Sequence, residues 1–186
     1  MGNLLIRKAN KLDVDSIAKI HVDVWNTTYT GVVSSKYLAG RTCEKQAEGW
    51  LERVFNNTES NEVVYVAEAD GGNVVGFASG AVRVGNDSFD GELYTLYIFQ
   101  EYQGRGIGRA LFNTIASALH GQGAKTMILW VFAYNPACAF YEHLGGKMVD
   151  RRLIRKGGED IQAVAYCWED LCQFRGLDFI SSEDVY

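Results

Sequence analysis

The segment Gln103-Gly-Arg-Gly-Ile-Gly108 places three glycines at the head of an apolar-periodic run: Ile107, Ala110, Leu111, Ile115, Ala118 and Leu119. That spacing predicts an amphipathic helix starting in the glycines. First-turn N–H groups of a helix have no intrahelical acceptor, and the helix dipole favours negative charge beside them. Glycines let a ligand come close to such a backbone. The chemistry suited to this turn is the holding of a phosphate or similar anion. Arg105 and Arg109 either add charge-assisted contacts or lie on a solvated helix face. The plainer alternative is a glycine-rich turn that holds nothing.

Two familiar phosphate turns do not fit. A P-loop needs Lys-Ser/Thr after its last glycine, and Gly108 is followed by Arg109-Ala110. A dinucleotide turn needs Gly-x-Gly-x-x-Gly and an acidic residue about 20 positions on. Here Gly104, Gly106 and Gly108 are spaced two and two, and no Asp or Glu lies between Phe112 and Tyr141.

The elements that must position this turn follow from the pattern. Leu93–Phe99, aromatic and apolar with Thr95, reads as a strand leading into it. Upstream, Leu4–Ala9 is a first strand. A helix from about 13 to 28, capped by Asp13, buries Val14, Ile17, Ala18, His21 and Trp25. Thr27–Leu38 reads as a polar and aromatic connection. Thr42 caps a second helix that buries Ala47, Trp50, Leu51, Val54 and Phe55. Val63–Ala69 and Val74–Val84 form a hairpin over Asp70-Gly71-Gly72-Asn73. Downstream, Lys125–Val131 is apolar throughout and hence a central strand. Asn135–His143 is a short helix, and Gly146–Ile154 and Ile161–Trp168 are a final strand pair. The expected organisation is one domain over residues 1–170 and a tail over 171–186, whose Phe174, Leu177, Phe179 and Ile180 pack on the domain or on a partner.

Composition narrows the class. The 186 residues are 47% apolar and 22% charged, which suits a folded domain with a real core. A net charge of −5 argues against a nucleic-acid partner, despite the local basic run Arg151-Arg152 and Arg155-Lys156. The cysteines, Cys43, Cys138, Cys167 and Cys172, lack Cys-x-x-Cys spacing and histidine neighbours, so no metal is expected. Reduced thiols, no cleavable leader and no run of membrane-spanning length point to a cytoplasmic protein without membrane attachment.

Gln103-x-x-Gly106-x-Gly108, with its preceding strand, its following helix and the downstream Asn135-Pro-Ala-Cys-Ala-Phe-Tyr-Glu-His-Leu-Gly145, closely resembles the signature of the GNAT superfamily of N-acetyltransferases. The resemblance covers about residues 4–168. It implies an α/β (α+β) GNAT fold: a mixed, mostly antiparallel, twisted sheet with helices on both faces, in the order β-α-α-β-β-β-α-β-α-β-β. It also implies acetyl-coenzyme A as acyl donor and direct acetyl transfer to a primary amine of a small molecule or peptide. A homodimer is compatible with it, though no residue demands one.

The resemblance assigns roles residue by residue. Gln103, Gly104, Arg105, Gly106, Ile107, Gly108 and Arg109 wrap the pyrophosphate. Leu93–Phe99 and Lys125–Val131 splay apart to admit the pantetheine arm, which meets main-chain groups of Leu96, Tyr97 and Ile98. The Leu96 N–H polarises the thioester carbonyl. Tyr141 protonates the leaving thiolate, or is a core aromatic on a short helix. Asn135 contacts the cofactor, caps its helix, or does both. Glu92 takes the amine's proton directly or through a water, or is a strand-end surface charge. Tyr94 shares its face if no bulge intervenes. Trp25 and Tyr29, with Tyr37, form an aromatic wall for a cationic acceptor or belong to the core. A non-catalytic acyl-CoA-binding sensor or assembly module is the competing function. It would keep the glycine turn and lose the chemistry.

Overall fold

The computed structural model describes residues 4–69, 71–85 and 88–174. Seven strands form one sheet in the order β1-β2-β3-β4-β5-β7-β6. They are β1 (Leu5–Lys8), β2 (Val63–Ala69), β3 (Asn73–Val82), β4 (Gly91–Ile98), β5 (Met127–Phe132), β6 (Lys147–Lys156) and β7 (Glu159–Trp168). All neighbours are antiparallel except β4 and β5. The helices are α1 (Val14–Tyr29), α2 (Ser35–Ala39), α3 (Cys43–Trp50), α4 (Ile107–Gly121) and α5 (Ala137–His143). The expected order therefore holds with one addition: α2 lies within the segment read as a connection. Ser34 caps it through the Tyr37 N–H, and five residues are too few to show a helical period.

Alternation along the strands sends apolar side chains to two opposite helix layers. On one face, Val63, Ala67, Ala78 and Leu93 pack with Leu111, Phe112, Ile115 and Leu119 of α4. On the other, Val64, Val66 and Phe77 pack with Val14, Ile17, Ile20 and Val24 of α1 and with Trp50 of α3. A third cluster covers the far half of the α1 face and joins Trp25, Tyr29, Val33 and Leu38 to Phe132, Ile161 and Ala163. β5 is buried along nearly its whole length, as a central strand should be.

One local expectation changes. Asp13 does not cap α1; its carboxylate accepts from Arg7 at 2.8 Å and from the Asn10 N–H at 2.8 Å. Asn10 instead caps a short 3-10 turn, Lys11–Asp13, through the Leu12 N–H. Arg7 also meets Glu68 at 2.7 Å, so this ion group ties β1 to β2 and to the start of α1. The start of the tail packs on the domain, one of the two alternatives stated for it. Leu171 is fully buried, and Phe174 packs on Phe112 with ring centroids 5.5 Å apart. Leu177, Phe179 and Ile180 lie outside the described residues, as does Asp70 of the β2–β3 hairpin.

Candidate active site

β4 and β5 pair only over Gly91–Met127, Glu92–Ile128 and Leu93–Leu129. Beyond that point β5 stays paired with β7 to its end, Phe132 opposite Ala163, and β4 stays paired with β3. The sheet therefore opens between β4 and β5. Its closed end is pinned by Asp90, whose carboxylate accepts from the Lys125 and Thr126 N–H groups at 2.8 and 3.2 Å. Those bonds hold the Asp90 carboxyl below its usual range. Nothing in the sequence pattern singles out Asp90.

Which groups face the opening follows from strand alternation. The Phe99 N–H donates to the Val75 carbonyl on β3. Tyr97 and Thr95 share its parity and turn their main chains to β3, so Leu96 and Ile98 turn theirs away from it, into the gap. The Ile98 carbonyl is taken by Gln103 Nε2 at 3.1 Å, which leaves the Leu96 N–H and C=O and the Ile98 N–H. Tyr97 departs from its expected role. Its main chain faces β3, and its hydroxyl accepts from Trp25 Nε1 at 3.1 Å on the α1 side.

At the mouth of the gap lies the glycine turn. Gly104 and Gly106 have φ of 72° and 83°, and a Cβ at either would meet no atom within 4 Å. They are needed for left-handed backbone, and they leave open space beside it. Gly108 does something else: a Cβ there would lie 3.2 Å from Phe140 and 3.3 Å from Ile98, so its lack of side chain lets α4 abut α5 and β4. Outside the helix interior, the first bond along the turn is Ala110 N–H to the Gly106 carbonyl. The N–H groups of Ile107, Gly108 and Arg109 precede it and have no helical acceptor. Ile107 itself is buried in the core. Arg109 is exposed at this turn, while Arg105 donates to the Glu101 carbonyl at 2.8 Å and stacks on Tyr102. Unpaired strand groups, free helix-start amides and open space beside two glycines fit the pantetheine and pyrophosphate of coenzyme A.

Tyr141 is 7% exposed and packs beside Phe140, Tyr166 and Trp168. Its hydroxyl makes no hydrogen bond among the described residues. Burial drives the phenol well above its ordinary pKa, and the nearby Tyr97 and Cys138 push it the same way. Asn135 caps α5 by accepting from the Ala137 N–H at 2.9 Å, and donates to the Tyr29 hydroxyl at 3.1 Å. Cys138 lies against the Phe132 and Ala133 carbonyls, and burial raises its thiol pKa, so it is no activated nucleophile.

Glu92, second residue of β4, has its side chain 23% exposed and 3.7 Å from Arg83. A bulge does intervene after it: Gly80 pairs with Leu93 and Ser79 with Thr95, so Tyr94 is the extra residue. Tyr94 is left 45% exposed. Burial raises its pKa and the nearby Glu92 adds to the rise. Trp25 and Tyr29 are 7% and 6% exposed and lie tilted with ring centroids 4.6 Å apart, so they form a packed layer rather than an open wall. Two polar residues of this layer were not singled out as site residues: His21, read only as part of a buried helix face, and Arg41. A histidine on an apolar face signals a buried partner, but Arg41 stands in no motif.

Residues 33–146 match the model of the acetyltransferase (GNAT) family. The chain is 34% identical to the N-acetyltransferase YuaI of Bacillus subtilis (strain 168), covering 92% of this chain and 96% of that protein. It is 24% identical to the spermidine N(1)-acetyltransferase of Thermoplasma acidophilum over 78% of this chain and 89% of that one. The crystal structure of the PaiA N-acetyltransferase from Thermoplasma acidophilum, in complex with coenzyme A, superposes with a TM-score of 0.67 at 22% identity, covering 87% of this chain and 98% of that one. The ribosomal-protein-alanine N-acetyltransferase from Brucella melitensis superposes with a TM-score of 0.69 at 25% identity, over 89% and 99% of the two chains. An opened β4–β5 pair with a glycine turn at its mouth, a full-length relative and a matching family model together make this chain a member of the GNAT acetyltransferase family.

Proposed function

We propose that this GNAT N-acetyltransferase moves the acetyl group directly to an amine, with Leu96, Tyr141 and Glu92 as its working groups. The observation that carries this is the β4 edge turned into the β4–β5 gap, with the free amides of α4 at its mouth. Acetyl-coenzyme A supplies an activated acyl group as a thioester. The amides of Ile107, Gly108 and Arg109, with the Arg109 side chain, hold its pyrophosphate. The Leu96 carbonyl and the Ile98 N–H take the pantetheine amides.

The Leu96 N–H donates to the thioester carbonyl oxygen as negative charge builds on it. A fixed donor of this kind contributes about 3–4 kcal/mol in other acyl-transfer sites. Tyr141 gives its proton to the departing sulfur. Burial keeps that proton on the phenol at neutral pH, and no acceptor among the described residues competes for it. Glu92 takes the ammonium proton of the acceptor, directly or through a water beside Tyr94, and the second proton, shed by the nitrogen as the C–S bond breaks, balances the one Tyr141 gives to sulfur.

Relatives of this chain act on spermidine and on a ribosomal protein's alanine, so the acceptor here is a small-molecule or peptide amine. Thermal unfolding tests the donor half. Coenzyme A at a hundred times its Kd should stabilise the fold by about 2.7 kcal/mol, while ATP and NAD should not. Equal protection by all three would remove the coenzyme A assignment of the turn.

A further inference from the structure

Arg41, between α2 and α3, is a heavily coordinated cation on the α1 side of the sheet. Its guanidinium carbon sits 4.0 Å from the ring centre of Trp25 and 5.7 Å from that of Tyr37. It donates to His21 Nε2 at 2.7 Å, to Gln46 Oε1 at 3.2 Å and to the Tyr37 hydroxyl at 3.3 Å. Among the described residues no carboxylate pairs with it, so these hydrogen-bonding partners are all neutral.

The histidine cannot relieve the charge. Arginine accepts no hydrogen bond, so Nε2 of His21 is the acceptor and the ring proton lies on Nδ1. Among the described residues that Nδ1–H is buried without an acceptor, and so is the Nε–H of Arg41. His21 is itself 9% exposed, enclosed by Trp25, Trp50, Phe77 and Tyr97. Burial, with Arg41 and then Arg53, lowers its pKa to about 3. Buried N–H donors are almost always satisfied, and a half-buried cation is normally paired. The guanidinium, held by neutral partners and with its Nε–H unfilled, is a cation lacking its anion.

The position relates this cation to the reaction. Trp25, on which Arg41 lies, donates to the Tyr97 hydroxyl, and Tyr97 adjoins Leu96 on β4. A second cation, Arg152 on β6, lies 3.7 Å over Trp130, which packs against the same aromatic cluster. Two cations on one face repel a polyamine and attract an acid.

We infer that Arg41 receives a carboxylate carried by the acceptor, so that the preferred substrate is an amine bearing an acid group rather than a polyamine. This rests on the acetyl-transfer reading above. His21 and Trp25 act as positioning residues, fixing the guanidinium plane by a hydrogen bond and a stacking face.

The experiment compares amino acids of increasing amine-to-carboxylate span with their primary amides, and with spermidine, as acceptors for thiol release from acetyl-coenzyme A. In the wild type, one acid should exceed its amide in kcat/KM by about tenfold or more, as loss of a charged hydrogen bond requires. Arg41→Gln should raise the KM for that acid by about tenfold, with a smaller change in kcat, and bring the acid-to-amide ratio near one. Calorimetric titration of the same acid into coenzyme A-saturated protein should show binding that Arg41→Gln weakens equally. Spermidine or an amide as the best wild-type acceptor overturns the inference and leaves acetyl transfer standing, as does an unchanged ratio in Arg41→Gln. The wild-type ratio decides even if the variant fails to fold. No release with any amine overturns both readings.

Discussion

A phenol can serve as an acid for a departing thiolate only if it holds its proton until needed, and burial gives Tyr141 that property. Because its hydroxyl has no partner among the described residues, Tyr141→Phe should leave stability within about 0.5 kcal/mol of wild type. It should lower kcat by about 10²-fold with little change in coenzyme A affinity. Wild-type turnover in this variant would return Tyr141 to the core. Glu92→Gln should depress the rate most at low pH, where the amine most needs deprotonation; a loss uniform across pH would point to the Arg83 contact instead. His21 contributes to the pH dependence of folding. Its folded pKa of about 3 lies below the ordinary 6.5, so the unfolded chain binds the extra proton between them. Stability is therefore fully present above about pH 6.5 and falls by about 1.4 kcal/mol per pH unit below it. Urea titrations at pH 5 and pH 7 should show this slope in the wild type and a shallower one in His21→Gln. Parallel slopes would contradict the neutral, buried imidazole.

At the scale of elements, two glycines of one turn do different work. Gly106→Asp forces a side chain into left-handed backbone, a strain of about 1–2 kcal/mol, and sets a carboxylate beside the free amides. Coenzyme A binding should be lost. Gly108→Ala keeps the backbone but crowds Phe140 and Ile98; it should cost stability first, and affinity only as α4 shifts. Equal coenzyme A affinity in Gly106→Asp and wild type would take the turn out of the site.

Most of this architecture was legible in the sequence. Long periodic elements such as α1, α4 and β2 announce themselves through buried positions that repeat. The gap at β4 was legible only through the family resemblance, because main-chain groups carry it and no side chain marks Leu96. The Tyr94 bulge, the α2 turn and the Asp90 clamp were not legible. Each depends on a register or a contact between segments far apart in sequence. Asp13 misled because an Asp before an apolar run resembles a cap, and only the folded position of Arg7 shows where its carboxylate goes. Trp25 and Tyr29 were open to two readings, and their burial places them in the packed layer.

At the scale of the whole molecule, the sheet is two halves joined at a hinge of three residue pairs. β1–β4 hold α1, α3 and α4, and β5–β7–β6 diverge from them. The α2 segment crosses between the halves on the α1 side. The Ser34 hydroxyl donates to the Gly157 carbonyl at the tip of the β6–β7 hairpin, and Tyr37 packs on that glycine. Among the described residues no helix is long and apolar enough to cross a membrane, and no group of acidic, histidine or cysteine side chains is arranged to hold a metal. The chemistry proposed for this GNAT acetyltransferase rests on main-chain donors, one phenol and one carboxylate. The most direct test is free-thiol release from acetyl-coenzyme A by the full chain, with and without amines spanning amino acids, peptides and polyamines. Direct transfer predicts release that tracks one class of amine and stays at the no-amine baseline for the others. Tight coenzyme A binding with no amine-dependent release across the panel would contradict it.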